Sequence, residues 1–179
     1  MKPFKQGDLD GLCGVYSIIN ALSFINGKNE DESEKLFHDY IDFLDAKPHR
    51  IAEFIKNGIP KYVMKELLEE YDRNVLEFHV KLPNLSRDTP MEKYWEWLET
   101  RLAFHKNSCV ILGLNDPWNH WTVVTRINDK TVEFLDSSTL KRRRKTDFVI
   151  NTNQKTDSIK IDAGCCFFVW KGEKYAWVD

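Results

Sequence analysis

Nowhere in its 179 residues does the chain carry an apolar run approaching the ~18 residues that a membrane-spanning helix needs. Its first residues, Met1-Lys2-Pro3-Phe4-Lys5-Gln6, turn polar at once and lack the apolar stretch of a signal peptide. Cysteine is sparse. Cys13, Cys109, Cys165 and Cys166 contain no C-x-x-C pair and fall short of a disulfide scaffold, which argues against a stapled secreted module and against a spaced set of zinc ligands. An excess of either charge is missing too. The 26 Lys and Arg face 28 Asp and Glu, so no global field draws the chain to nucleic acid or to an anionic membrane. Repeats, low-complexity tracts and Pro/Gly-rich linkers are absent. What remains is an ordinary globular composition, 42% hydrophobic and 13% aromatic, which excludes wholesale disorder. The expectation is a reduced, cytoplasmic protein with free thiols, one domain over residues 1–179, with no cofactor, no metal and no membrane or nucleic-acid partner.

The first half reads as helices. Val15, Ile18, Ile19, Leu22 and Ile25 form the stripe of an amphipathic helix ending near Gly27. Asn29 and Glu32 are spaced as a capping box for a second helix, with the stripe Leu36, Phe37, Tyr40, Ile41 and Leu44 and a stop at Pro48. One or two helices are expected from Arg50 to about Asp72, and another from Met91 to about His105 carrying Tyr94, Trp95, Leu98 and Leu102. The second half reads as strands: Cys109–Leu114, Trp121–Ile127, Thr131–Asp136, Ser158–Ile161 and Cys165–Lys171, with a shorter one near Val75–Val80. Asn128-Asp129-Lys130 suits a hairpin turn. Helices followed by an antiparallel sheet imply an α+β fold.

Chemistry concentrates in Gln6-Gly7-Asp8-Leu9-Asp10-Gly11-Leu12-Cys13-Gly14-Val15-Tyr16-Ser17. A polar, glycine-bearing loop runs into the first helix and sets Cys13 in its first turn, where unpaired N–H groups and the positive end of the dipole favour a thiolate. Asp8 and Asp10 oppose this unless they cap the helix. Cys13, Tyr16, Ser17 and Asn20 share a helical stripe, so the helix is expected to bury its back and to show Cys13 and Ser17 to a cleft. A cysteine nucleophile needs a base and the base needs an orienting group. Pairing the strands through the 128–130 turn sets residue 121 or 122 opposite Asp136, which brings His120 beside that carboxylate. A carboxylate on a ring nitrogen fixes the tautomer and favours the imidazolium that stabilises a thiolate.

The order Cys13, His120, Asp136, with Cys13-Gly14 followed by an aromatic at Tyr16, resembles the papain-like cysteine peptidases. The Gln…Asp…Cys-Gly pattern is most similar to short bacterial domains that resemble double-glycine leader peptidases. The likeness covers the block from Gln6 to Asn20 and the block from His120 to Asp136; the second cysteine of the papain signature is missing. The resemblance implies a nucleophile helix packed on a C-terminal antiparallel sheet, and hydrolysis of a peptide or isopeptide bond. It also implies Gln6 as an oxyanion donor, matching the glutamine that precedes the family's nucleophile.

Other readings compete. Cys13 alone reads as a small buried helix residue, His120 as a strand-start histidine satisfied by its loop, Asp136 as a turn residue and Gln6 as a surface amide. The same triad also serves acyltransferase, transglutaminase-like and deamidating enzymes, and a catalytically silent module would keep the fold as a binding surface. The six tryptophans read first as core, although Trp118 and Trp121 flank His120 and are the candidates to wall its cleft. Cys165 and Cys166 point to opposite faces of a strand and read as packing. The run Lys141-Arg142-Arg143-Arg144-Lys145 reads as a solvated loop between strands, with an acidic partner as the alternative.

Overall fold

A computed structural model describes residues 1–7, 10–46, 50–72, 78–83, 85, 89–115, 117–150 and 157–172. Among them five helices precede or flank a seven-stranded sheet, an α+β fold. The helices are α1 (Cys13–Asn26), α2 (Glu30–Asp45), α3 (Arg50–Asn57), α4 (Lys61–Asp72) and α5 (Met91–Phe104). The strands are β1 (His79–Lys81), β2 (Ser108–Leu114), β3 (His120–Ile127), β4 (Thr131–Leu135), β5 (Arg142–Arg144), β6 (Phe148–Ile150) and β7 (Ile159–Trp170). They run β1-β7-β2-β3-β4-β5, antiparallel throughout, with β6 added in parallel to the start of β7. No helix among the described residues is long and apolar enough to cross a membrane.

Local chemistry explains the helix ends. Asn29 Oδ1 accepts from Glu32 N–H at 2.9 Å and Glu32 Oε2 accepts from Asn29 N–H at 3.1 Å, a capping box reinforced by three acidic residues at the positive end of α2. Gly58-Ile59-Pro60 divides the 50–72 stretch into α3 and α4, because the proline cannot continue α3 and is suited to opening α4. Pro48 and Val75, which the sequence places at a helix stop and a strand start, lie outside the described residues; the short strand is described only from His79.

Two apolar layers hold the sheet. On one face Cys109, Ile111, Trp121, Val123, Phe167 and Val169 pack on α1, with α2, α3 and α4 outside it. On the other, Val110, Leu112, Val124, Phe134 and Phe168 pack on α5 through Tyr94, Trp95 and Leu98. Helix α1 is thus enclosed on nearly every side rather than along one stripe, with Val15, Ile18, Ala21 and Leu22 fully buried. Its polar residues are enclosed as well: Asn20 Oδ1 accepts from Phe4 N–H at 2.7 Å and its Nδ2 donates to Phe4 C=O at 3.1 Å, anchoring the N-terminal segment.

The sheet differs from the sequence expectations in three places. The two strands sought at 158–161 and 165–171 are one strand, β7, with a bulge: β2 pairs Leu112 with Cys166 but Leu114 with Ile161. Asp162 Oδ1 accepts from Gly164 N–H at 2.9 Å, so this Asp-Ala-Gly segment has the chemistry of a turn while remaining in the strand. The basic run is not a loop. Arg142–Arg144 form the exposed edge strand β5, paired with Thr131–Glu133, and Lys145 opens a 3₁₀ turn. Arginine at a sheet edge blocks further pairing, which accounts for a strand with no apolar alternation. Strand β6 has no counterpart in the sequence reading; three residues are too few to show a period.

Candidate active site

Residues 10–13 enter α1 under tight restraint. Asp10 accepts from Leu12 N–H through Oδ1 at 3.0 Å and from Gly7 N–H through Oδ2 at 2.8 Å, so its carboxylate organises the loop. Gly11 N–H donates to Ile55 C=O at 2.7 Å, and a Cβ on Gly11 would lie 2.6 Å from Phe54 O and 2.8 Å from Gly58 N, which excludes any side chain there. The loop is thereby pressed against the end of α3, and Cys13 falls in the first turn of α1. Its backbone N–H has no intrahelical acceptor. The Cys13 side chain is 5% exposed, and its Sγ accepts a hydrogen bond from Trp121 N–H at 3.5 Å.

Strands β3 and β4 supply the other two groups. Asn128 closes their turn: its Oδ1 accepts from Lys130 and Thr131 N–H at 3.1 and 2.9 Å. Pairing starts as Ile127–Val132 and Arg126–Glu133, then slips by one residue to Val124–Phe134 and Val123–Leu135. Continued, the slipped register sets Thr122 opposite Asp136 and makes His120 its diagonal neighbour on the same face. Without the slip Val123 would oppose Asp136, and His120 would turn to the other face. His120 Nε2 lies 2.7 Å from Asp136 Oδ1. Asp136 Oδ2 accepts from Ser138 and Leu140 N–H at 2.9 and 3.0 Å, so the carboxylate, 2% exposed, is held in place on both oxygens. The other ring nitrogen of His120, Nδ1, is not used by Asp136, and Cys13 is close enough to help raise the pKa of the ring.

Electrostatics follow from these contacts. Burial alone would lower the pKa of His120; hydrogen bonds to Asp136 and Cys13, and the charges behind them, outweigh it and raise the value to about 9. Asp136 is opposed by burial, yet its bond to His120 and the imidazolium charge hold its carboxyl below the ordinary range. The balance favours the protonated ring, held on the Asp136 carboxylate.

Beside Cys13 a cavity of about 280 Å³ is lined by His120, Trp121, Asn119, Gly113, Cys165 and the Asn57–Lys61 loop, among others. Trp121 determines its shape. Its N–H holds Cys13 Sγ, and its indole Nε1–H donates to Ile59 C=O at 2.7 Å, tying the loop to β3. Asn119 has φ 40°, a left-handed conformation that asparagine tolerates, and this sharp bend starts β3 at His120.

The remaining sequence candidates lie elsewhere. Ser17 is 1% exposed and does not line the cavity, because α1 is buried on that side too. Trp118 is 37% exposed and does not line the cavity either; the Arg143 guanidinium sits over its ring, 5.9 Å from the centroid. Gln6 Nε2 donates to Asp10 C=O at 3.2 Å, and its Oε1 accepts from Ser137 Oγ at 2.9 Å. Gln6 N–H also donates to Ser137 C=O at 3.1 Å, and Lys5 Nζ reaches the Asp136 carbonyl at 3.0 Å. In this geometry Gln6 braces the loop that bears Asp136. Lys145 pairs with Glu99, and Arg142 donates to Thr131 Oγ1 from Nε and Nη2 at 3.2 and 3.1 Å.

Sequence reasoning misses Lys61, Gly113 and Cys165. The β7 bulge breaks strict alternation and swings Cys165 toward the cavity, opposite Gly113, where a Cβ would lie 2.7 Å from Cys165 Sγ. A glycine facing a bulged cysteine carries no local signal. Among the described residues no group of three His, Cys, Asp or Glu is placed to hold a metal ion. The chain matches no protein-family model and no curated protein.

Proposed function

We propose that the protein is a papain-like cysteine hydrolase acting on a peptide-type amide bond. The observation that carries this is the His120–Asp136 pair, Nε2 to Oδ1 at 2.7 Å, whose ring lines the same cavity as Cys13 and feels the Cys13 sulfur. Cys13 Sγ, as a thiolate, attacks the carbonyl carbon, and the developing oxyanion meets the Cys13 backbone N–H at the positive end of α1. The C–N bond then breaks while the His120 imidazolium gives its proton to the departing amine, leaving a thioester. Water adds to the thioester with neutral His120 accepting its proton, the S–C bond breaks and the acid leaves. Asp136 holds the ring throughout. Gln6 Nε2 uses one of its two N–H donors on the Asp10 carbonyl, and the other is the one that could serve as a second oxyanion donor.

The test is a digest of a mixed peptide and isopeptide library in ¹⁸O-water, read by mass spectrometry, with and without a primary amine. New carboxyl termini carrying ¹⁸O, absent with Cys13→Ser, are expected. New amides to the added amine would make the enzyme an acyltransferase. No Cys13-dependent product across the library would favour a silent binding module.

A further inference from the structure

Granted the thiol-hydrolase chemistry proposed above, we infer that the cavity beside Cys13 is built for a substrate carrying a carboxylate next to the scissile carbonyl, with Lys61 as the residue that recognises it. The described lining contains two groups able to carry positive charge, His120 and Lys61, and no carboxylate. Asparagines 57, 115 and 119 contribute neutral amide donors to the same wall. His120 is committed to Cys13 and Asp136. Lys61 is not needed for that chain of contacts.

The position of Lys61 is set by the fold. It opens α4, two residues after Ile59, whose carbonyl is held by the same Trp121 that donates to Cys13. Its ammonium lies 3.7 Å from where a Cβ on Gly164 would sit, which places it over the β7 bulge. The charge registers inside the cavity: Cys165 is pushed up to about 11 by burial and by Asp162, with Lys61 pulling the other way. Asp162 is the opposing charge nearby; its Oδ1 is engaged by Gly164 N–H. Of the anions Lys61 could meet there, a carboxylate is the one a peptide chain supplies, either at its C-terminus or on an Asp or Glu side chain. A lysine on a partly open wall recognises it as a point charge rather than through a bidentate fork.

Two near-isosteric alkylating agents test this without a known substrate. In each, Cys13 Sγ displaces iodide from a CH₂ group; iodoacetate carries a carboxylate and iodoacetamide does not. The quantity read is the ratio of their rates at Cys13. Lys61→Gln is expected to lower that ratio about three- to fivefold at low salt, the size of one screened charge at a partly exposed site. Lys61→Arg should restore most of it, and 1 M NaCl should erase the difference between wild type and Lys61→Gln. To separate the two sources of carboxylate, N-acetyl-glycylglycine and N-acetyl-glutamate amide are compared as protectants against iodoacetamide. Selective protection by the first assigns a C-terminal carboxylate, and by the second an acidic side chain. A rate ratio unchanged in Lys61→Gln, or equal protection by the uncharged N-acetyl-glycine amide, would overturn the inference. Cys13 labelling no faster than a free thiol with either agent would instead sink the hydrolase proposal on which it rests.

Discussion

His120→Ala is expected to lower Cys13-dependent amide hydrolysis by about 10³-fold or more, because in the proposed mechanism one ring serves the thiolate, the leaving group and the water in turn. Removing it takes away the imidazolium that pairs with Cys13 and leaves the amine to depart unprotonated. Asp136→Asn should cost less, about 10²- to 10³-fold, since the amide keeps the ring near its place but loses the charge that holds it protonated. The pH profile gives an independent check. With His120 raised to about 9, the acid needed for amine departure is lost as pH rises through that value, so turnover should fall on the alkaline side near pH 9. In Asp136→Asn the fall should move toward the ordinary histidine value of ~6.5. Turnover within tenfold of wild type in His120→Ala would remove the ring from the chemistry.

The same pair should govern stability against pH. A histidine raised from 6.5 to about 9 on folding binds its proton more tightly in the native state. Its contribution is fully present below pH 6.5 and is lost as pH climbs through about 9, a loss on the order of 3 kcal/mol. Asp136 works in the opposite sense: its folded pKa is lowered, so its contribution is present above the ordinary carboxylate range and is lost as pH falls through the lowered value. Urea unfolding at pH 6.5, 8 and 9.5 is expected to show wild type losing stability across that window, and Asp136→Asn losing less than half as much. Parallel slopes for the two proteins would place the alkaline transition in other groups, the three remaining cysteines being the first to examine.

What the sequence discloses and what it conceals divide along local and non-local physics. The stripe of α1 and the capping box of α2 are set by residues within one or two turns of each other, and both are visible before any fold is known. The neighbourhood of His120 and Asp136 is also nearly local, because a short turn at Asn128 joins their strands. Turn length alone cannot show the slip near Thr125, on which the facing of His120 depends. The bulge of β7 hides because Asp162-Ala163-Gly164 has turn chemistry inside a strand. Edge strand β5 hides because its three arginines have no apolar alternation. Ser17 misleads for the opposite reason: a polar residue on a helical stripe implies a wet face, but α1 lies between the sheet and other helices. Lys61 and Cys165 reach the cavity only through tertiary packing, a lysine at a helix start and a thiol in a bulge.

The most direct test of the account is the rate of iodoacetamide alkylation at each cysteine from pH 4 to 10, mapped by mass spectrometry, in wild type and His120→Ala. The other thiols serve as internal controls: burial pushes Cys109 up, and Cys165 and Cys166 to about 11 and about 12. Fast labelling confined to Cys13, persisting well below the free-thiol value of ~8.5 and collapsing to a free-thiol profile in His120→Ala, is the predicted result. A Cys13 that labels slowly, with a midpoint near 8.5 in both proteins, would contradict the ion pair and with it the proposed chemistry.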